Sequence, residues 1–169
     1  MPVSHKAYAI NWLVFETIRP KLERALIEGD PSDLFVLIDE DISSFRDPYE
    51  GEPLSSDWRR NLGRGDVDEV ADFVLTTCYD PRADFGLGAD WMRIDDLLPP
   101  THRSALLGWP LGPPERLFDP GKIGSYFQDP EKLRHSLGVI QSYSEVIPRS
   151  YLQWQAAVVA QGDGLYVTF

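Results

Sequence analysis

The densest group of side chains able to do chemistry is a run of carboxylates in the first third of the chain. Within residues 39–52 the only basic residue is Arg46, and the acidic residues are Asp39, Glu40, Asp41, Asp47, Glu50 and Glu52. Two carboxylates can act as general acid and base, and several together can hold a divalent cation. The run lacks the alternating ligands, central glycine and terminal glutamate of a calcium loop. We therefore predict no metal site and no catalytic residue here.

Aromatic residues interleave these carboxylates, which favours a role in protein binding. Phe45, Tyr49 and Trp58 lie within or beside the run, and aromatic anchors surrounded by charge are typical of protein interfaces. Core packing accounts equally well for Phe45 and Trp58, whereas Tyr49 is predicted to be exposed. We predict a binding surface made of Tyr49 and the six carboxylates. A merely solvated acidic surface, built from the same residues, is the alternative.

Two other short motifs match known functional sites only in part. Asp84-Phe85-Gly86 matches the kinase magnesium motif in letters, but no glycine-rich phosphate loop or His-Arg-Asp loop precedes it. Gly86-Leu87-Gly88 lacks the third glycine and the preceding apolar strand of a dinucleotide site. We interpret both as coincidences.

The histidines and the cysteine indicate neither a metal site nor a disulfide. His5, His102 and His135 are not at metal-ligand spacing, and Cys78 is the only cysteine. A thiol-based zinc site and an intrachain disulfide are therefore excluded. We interpret Cys78 as a buried apolar group and predict no cofactor.

The net charge of the chain limits the kinds of molecule that it can bind. The 169 residues contain 16 Lys and Arg against 27 Asp and Glu, a formal charge of −11. Such a chain repels the phosphates of nucleic acid, and no basic cluster is present to bind anionic lipid. A basic protein is the partner that this charge favours. The single cysteine, with no apparent signal peptide or membrane span, predicts a cytoplasmic location.

The spacing of apolar residues predicts the elements of the first half. Residues 6–10 are predicted to form a strand, and the helix that follows carries one apolar stripe: Trp12, Phe15, Ile18, Leu22 and Leu26. Pro20 should kink or restart that helix, and Gly29 should end it. A second helix follows, and residues 47–53 form an exposed acidic loop. Asp66 is predicted to cap a third helix.

The second half begins with a long Pro- and Gly-rich stretch, residues 80–120, with short helices at 90–98 and 101–107. A strand at 123–127, a helix after Asp129, a helix at 149–161 and a strand at 165–169 complete the pattern. The 43% hydrophobic content suffices for one sizeable core. We predict a single α+β domain over residues 1–169, mostly helical, with a small sheet joining the N- and C-terminal strands.

The second half also resembles a known family. The shared features are Ala105-Leu106-Leu107-Gly108, Pro110-Leu111-Gly112, Gly124-Ser125-Tyr126-Phe127 before Asp129-Pro130-Glu131, the helix at 133–140, and the ending Gly164-Leu165-Tyr166-Val167. On these residues, roughly 70–169, the chain resembles the YfbM-like family of small uncharacterised bacterial proteins. The resemblance implies an α+β architecture and provides no catalytic residue to transfer.

Two functional hypotheses follow. The first is an acidic module that binds and neutralises a basic protein, and its most concrete form is an immunity protein against a secreted bacterial toxin. The alternative is a small enzyme with a pocket in the 80–120 region, in which polar side chains would converge. They are Asp84, Asp90, His102, Arg103 and Asp119.

Overall fold

A three-stranded antiparallel sheet joins the two ends of the chain. The computed structural model describes residues 3–169. In it, strand β1 (Lys6–Ile10) pairs with β3 (Gly164–Thr168), so that Lys6 lies opposite Thr168 and Ile10 opposite Gly164. Strand β2 (Ser125–Gln128) pairs with the other edge of β3, which gives the order β1-β3-β2. The predicted sheet between the terminal strands is confirmed, and with it the α+β class.

Helices make up half of the fold. Their bounds are α1 Trp12–Glu28, α2 Ser32–Glu40, α3 Val67–Leu75, α4 Trp91–Leu97, α5 Arg103–Leu107, α6 Pro130–Ile140 and α7 Arg149–Gln161. Each corresponds to a predicted helical segment. Shorter 3-10 helices include Trp58–Asn61, between α2 and α3.

Two apolar clusters cover the two faces of the sheet. Tyr166 of β3 belongs to a cluster with residues of α1, α2 and α3, whereas Leu165 and Val167 belong to a second cluster with residues of α6 and α7. Successive strand residues point to opposite faces of a sheet. The alternation along β3 therefore decides which side chains enter each cluster.

Local capping follows the sequence closely. Asp66 and Asp129 accept hydrogen bonds from the backbone N–H groups of Glu69 and Lys132, as expected of N-caps. Gly29 ends α1 with a φ of 64°, a left-handed conformation that glycine adopts without strain.

Two local predictions differ in part from the structure. Of the two effects predicted for Pro20, a kink or a restart, the restart is wrong: α1 continues through this residue, which lies on the exposed side while Ile18 and Leu22 remain buried. The second strand begins at Ser125 rather than residue 123, because Asp119 Oδ1 accepts the backbone N–H groups of Ile123 and Gly124. Those two N–H groups are thereby used in a loop.

Residues 84–88 form a strap along the outer edge of β1. The Phe85 N–H donates to the Ala7 carbonyl at 2.9 Å, and His5 and Gly88 exchange two backbone hydrogen bonds of 3.0 Å. Asp84 Oδ1 accepts the Ala7 N–H, also at 3.0 Å. The strap thus uses the hydrogen-bonding groups that an edge strand would otherwise expose.

No helix within residues 3–169 is long and apolar enough to cross a membrane.

Replacing Gly86 by alanine should loosen this strap. A Cβ at this position would collide with the His5 carbonyl oxygen and lie 2.6 Å from Lys6 Cα, both backbone atoms. We expect Gly86→Ala to lower the free energy of unfolding by roughly 1–3 kcal/mol in urea denaturation.

Gly138→Ala is the matched control. Gly138 lies exposed inside α6, and a Cβ there meets nothing within 4 Å. This variant should gain about 0.5–1 kcal/mol, since alanine favours a helix over glycine. Equal effects at the two positions would contradict the close approach at Gly86.

Candidate functional site

The 3-10 helix Trp58–Asn61 connects the two halves of the acidic run. At its start, the Trp58 indole N–H donates to Asp39 Oδ1 at 2.9 Å, and Arg59 pairs with the same carboxylate. At its end, the Asn61 side-chain amide donates to Asp47 Oδ2 at 3.4 Å. The same short helix is thus bonded to the end of α2 and to the loop at 47–53.

Asp47 differs from the prediction that it lines a binding surface. Its side chain is buried, and its Oδ1 accepts the backbone N–H groups of Tyr49 at 2.7 Å and Glu50 at 3.2 Å. The sequence pattern Asp-Pro-Tyr-Glu indicated a turn, and the carboxylate folds back to stabilise that turn. Asp47 therefore has a structural role, with no exposed carboxylate to offer a partner.

The carboxylates of the acidic run that remain exposed differ in how far they are already bonded. The hydrogen bond from Trp58 holds the pKa of Asp39 below its usual value, and bonds from Ser44 and Ser43 do the same for Asp41. Glu40, Glu50 and Glu52 are exposed and make no ion pair within residues 3–169.

Tyr49 is exposed as predicted, but it is also held in place. Its side chain is 60% exposed, and its hydroxyl donates to Glu69 Oε1 at 3.2 Å. The ring lies edge-on to Phe73, with 6.2 Å between centroids. Burial and the negative charge of Glu69 raise the pKa of Tyr49 to about 12, so the hydroxyl stays protonated as a donor. An exposed aromatic ring is thus fixed at one orientation.

Glu69 anchors this arrangement from within α3. Its carboxylate accepts backbone N–H groups from Gly63, Arg64 and Gly65 at 2.7, 2.8 and 2.6 Å. Burial by itself would raise the pKa of Glu69, but these hydrogen bonds outweigh burial and lower it. The ionised side chain therefore fixes both the loop before α3 and the Tyr49 hydroxyl.

We use the name acidic face for the exposed set Asp39, Glu40, Asp41, Tyr49, Glu50 and Glu52. Basic residues border it: Arg59 pairs with Asp39, and Lys21 and Arg24 line a hollow together with Glu40. Arg46 donates to the Gly51 carbonyl at 3.0 Å and so supports the loop, and Arg82 pairs with Asp80 at 3.1 Å. The face is therefore negative at Glu40, Glu50 and Glu52, with basic groups at its border.

The polar residues of the alternative enzyme hypothesis have separate bonding partners in the structure. Asp84 accepts the Ala7 N–H of β1. Arg103 pairs with Asp95 at 2.6 Å, and His102 Nδ1 lies 2.6 Å from the Tyr143 hydroxyl. Asp119 bonds its own loop. Over residues 3–169, no hydrogen bond or ion pair joins any two of the five. A hollow of about 390 Å³ beside Arg103 is not lined by the other four.

A buried carboxyl that the sequence did not predict, Asp72, lies one turn after Glu69 on α3. Asp72 is buried beside a cluster of three tyrosines, Tyr8, Tyr79 and Tyr166, whose ring centroids are 4.8–5.9 Å apart. Its Oδ1 has no hydrogen-bond partner among the described residues. The available signal was the run Val70-Ala71-Asp72-Phe73-Val74-Leu75, since a helix that is apolar on all sides buries any carboxylate within it.

Burial raises the pKa of Asp72 to about 7. The charge of Lys6 and a hydrogen bond from Tyr79 oppose this rise, whereas the charges of Glu69 and Asp47 add to it. A carboxyl with this pKa exchanges its proton near neutral pH. The fold therefore resists the ionisation of Asp72 at neutral pH.

Replacing Asp47 tests its structural role. Asp47→Ala removes the acceptor for two backbone N–H groups and the Asn61 amide. We expect the free energy of unfolding to fall by roughly 2 kcal/mol or more, measured by urea denaturation. Glu50→Ala, which removes an exposed carboxylate from the same loop, should stay within about 0.5 kcal/mol of the native protein. An Asp47→Ala variant with the same free energy of unfolding as the native protein would rule out the structural role.

Asp72 should make stability fall as pH rises. Because its folded pKa of about 7 lies above the ordinary 3.8, the unfolded chain ionises first, and stability is lost between about pH 4 and pH 7. We expect Asp72→Asn to be more stable than the native protein at pH 8, by roughly 4 kcal/mol at most. This advantage should shrink steadily towards pH 4.

Comparing the two proteins at each pH cancels the shifted groups that do not interact with Asp72. One of them is His5, whose pKa burial lowers to about 4 and which titrates in both proteins. Urea denaturation across pH 4–8 measures the difference. An advantage of Asp72→Asn that does not change with pH would show that Asp72 titrates normally.

Searches of protein-family models, curated proteins and solved structures found no significant match to this chain. The resemblance of its second half to the YfbM-like family stays a prediction.

Proposed function

We propose that this chain is a binding module for a basic protein and that it engages this partner through the acidic face. The observation that carries the proposal is Tyr49, which is 60% exposed and yet fixed by Glu69 and Phe73. A large aromatic ring that is ordered before binding loses little conformational entropy when a partner covers it. Such a ring is a suitable anchor for an interface.

Charge supports a basic partner. Glu50 and Glu52 flank the Tyr49 loop with exposed carboxylates, and Glu40 adds a third at the end of α2. The whole chain carries a formal charge of −11. Complementary charge speeds the encounter of two proteins, and rim charges act mainly on this association rate. Capture of a cationic protein is therefore favoured both in rate and in orientation.

Preorganisation of the loop supports binding over mere solvation. Asp47 closes the turn from inside, Arg46 bonds the Gly51 carbonyl, and a backbone bridge pairs Arg46 with Pro53. A loop with these bonds has little freedom left to lose on binding. A solvated acidic loop would not require such internal support.

In its most specific form, the proposal is an immunity protein that acts in the cytoplasm against a basic bacterial toxin. Such a protein has only to bind and cover its target. It needs affinity rather than a catalytic constellation, and the acidic face offers an anchor and complementary charge for that purpose.

Charge reversal on the acidic face tests the proposal. The triple variant Glu40→Lys, Glu50→Lys, Glu52→Lys and the native protein are used as baits in lysate of the native organism, at low and high salt. We expect the native bait to retain a basic protein at low salt. The variant should recover roughly one tenth of that amount or less. Mass spectrometry quantifies the recovery.

The matched control reverses three exposed acids elsewhere, as Glu28→Lys, Asp96→Lys, Glu145→Lys. These side chains are exposed and make no hydrogen bond or ion pair within residues 3–169, and the net charge changes equally. The control should retain the partner. Equal loss in both variants would indicate a general charge effect, and equal retention would exclude the acidic face as the binding surface.

A further inference from the structure

Three buried side chains between β1 and α7 present polar atoms that no protein group satisfies. They are His5 at Nε2, Tyr151 at its hydroxyl, and Gln155 at both Nε2 and Oε1. His5 and Gln155 have no exposed surface, and Tyr151 is 2% exposed. Burying a polar group without a hydrogen-bond partner is destabilising, so several such groups in one place require a partner.

The three side chains face a common region. The rings of His5 and Tyr151 lie edge to face, with 6.0 Å between centroids. Gln155 follows Tyr151 by four residues on α7, which puts the Cβ atoms of the two residues on the same face of the helix, about 5–6 Å apart. The groups are thus near one another and yet make no hydrogen bond together.

The orientation of His5 determines what it offers. Its Nδ1 accepts the Leu87 N–H from the strap at 3.0 Å, so the ring proton must lie on Nε2. Burial lowers the pKa of His5 to about 4 and raises the pKa of Tyr151, so both groups are neutral near pH 7. The region therefore offers neutral donors and acceptors, which favours a neutral polar ligand.

Aromatic side chains enclose this region and limit the ligand to a small one. Phe85 of the strap stacks on Trp154 at 5.3 Å between centroids, Trp154 lies 5.7 Å from Tyr151, and Phe169 lies 5.7 Å from His5. Buried polar sites of this kind are usually filled by water with about three hydrogen bonds.

We propose that at least one ordered water molecule is bound between β1 and α7 by His5, Tyr151 and Gln155. It accepts the Nε2–H of His5 and donates to Gln155 Oε1 and the Tyr151 oxygen. This water connects the N-terminal strand to the last helix. Without it, the polar groups of His5, Tyr151 and Gln155 would stay unpaired between these two elements.

A crystal structure of the native protein tests the site directly. We expect a solvent peak within about 2.7–3.2 Å of at least two of the three groups. Direct hydrogen bonds among the three side chains, with no solvent peak between them, would overturn the proposal.

A double-mutant cycle tests the same site in solution. Tyr151→Phe and Gln155→Leu each remove a ligand of the shared water, so the second substitution should cost less once the first is present. Each variant changes the equilibrium constant of unfolding by some factor. We expect the product of the two single-variant factors to exceed the factor of the double variant by about threefold or more. Additive effects would contradict a shared water.

Tyr143→Phe, combined with Gln155→Leu, is the control cycle. It deletes the same kind of hydroxyl, but Tyr143 bonds His102 at 2.6 Å. This pair should be additive, because the two residues have no ligand in common. Equal coupling in both cycles would overturn the assignment to one site.

Discussion

The fold depends on the position of β3 at the centre of the sheet. Leu165, Tyr166 and Val167 have no exposed surface, so this strand is covered on both faces and paired on both edges. A strand buried in this way needs two separate covers, and α1–α3 provide one while α6 and α7 provide the other. Because β1 and β3 come from opposite ends of the chain, their pairing has a large sequence separation, which is typical of slow folding.

The three carboxylates near α3 show how the environment decides the role of an acidic side chain. Glu69 accepts three backbone N–H groups and stays ionised, and Asp47 is satisfied within its own turn. Asp72 lies in apolar surroundings with Oδ1 unpaired, and its ionisation is resisted. Hydrogen bonds compensate for lost hydration, whereas burial without them favours the neutral form. The first two residues shape the acidic face, and the third places a titratable group behind it.

The proposed binding function rests on rigidity as much as on charge. Exposed carboxylates are common on acidic proteins and carry little information by themselves. Tyr49 differs, because its ring is exposed while its hydroxyl and one edge are held by α3. The same helix thus contributes to the hydrophobic core and orients a surface ring.

The sequence by itself determined the elements and the architecture. Apolar periodicity located the helices and the terminal strands, and the caps at Asp66 and Asp129 marked where helices begin, because these signals act over three or four residues. Only the tertiary structure decided which polar side chains are exposed. Asp47 and Glu50 lie three residues apart in one acidic loop, yet one is buried and the other exposed. Asn61 completes the site of Asp47, and Gly63, Arg64 and Gly65 complete that of Glu69. The burial of Asp72 and the approach of His5 to Tyr151 depend on packing between elements far apart in the chain. The local sequence pattern does not predict such contacts.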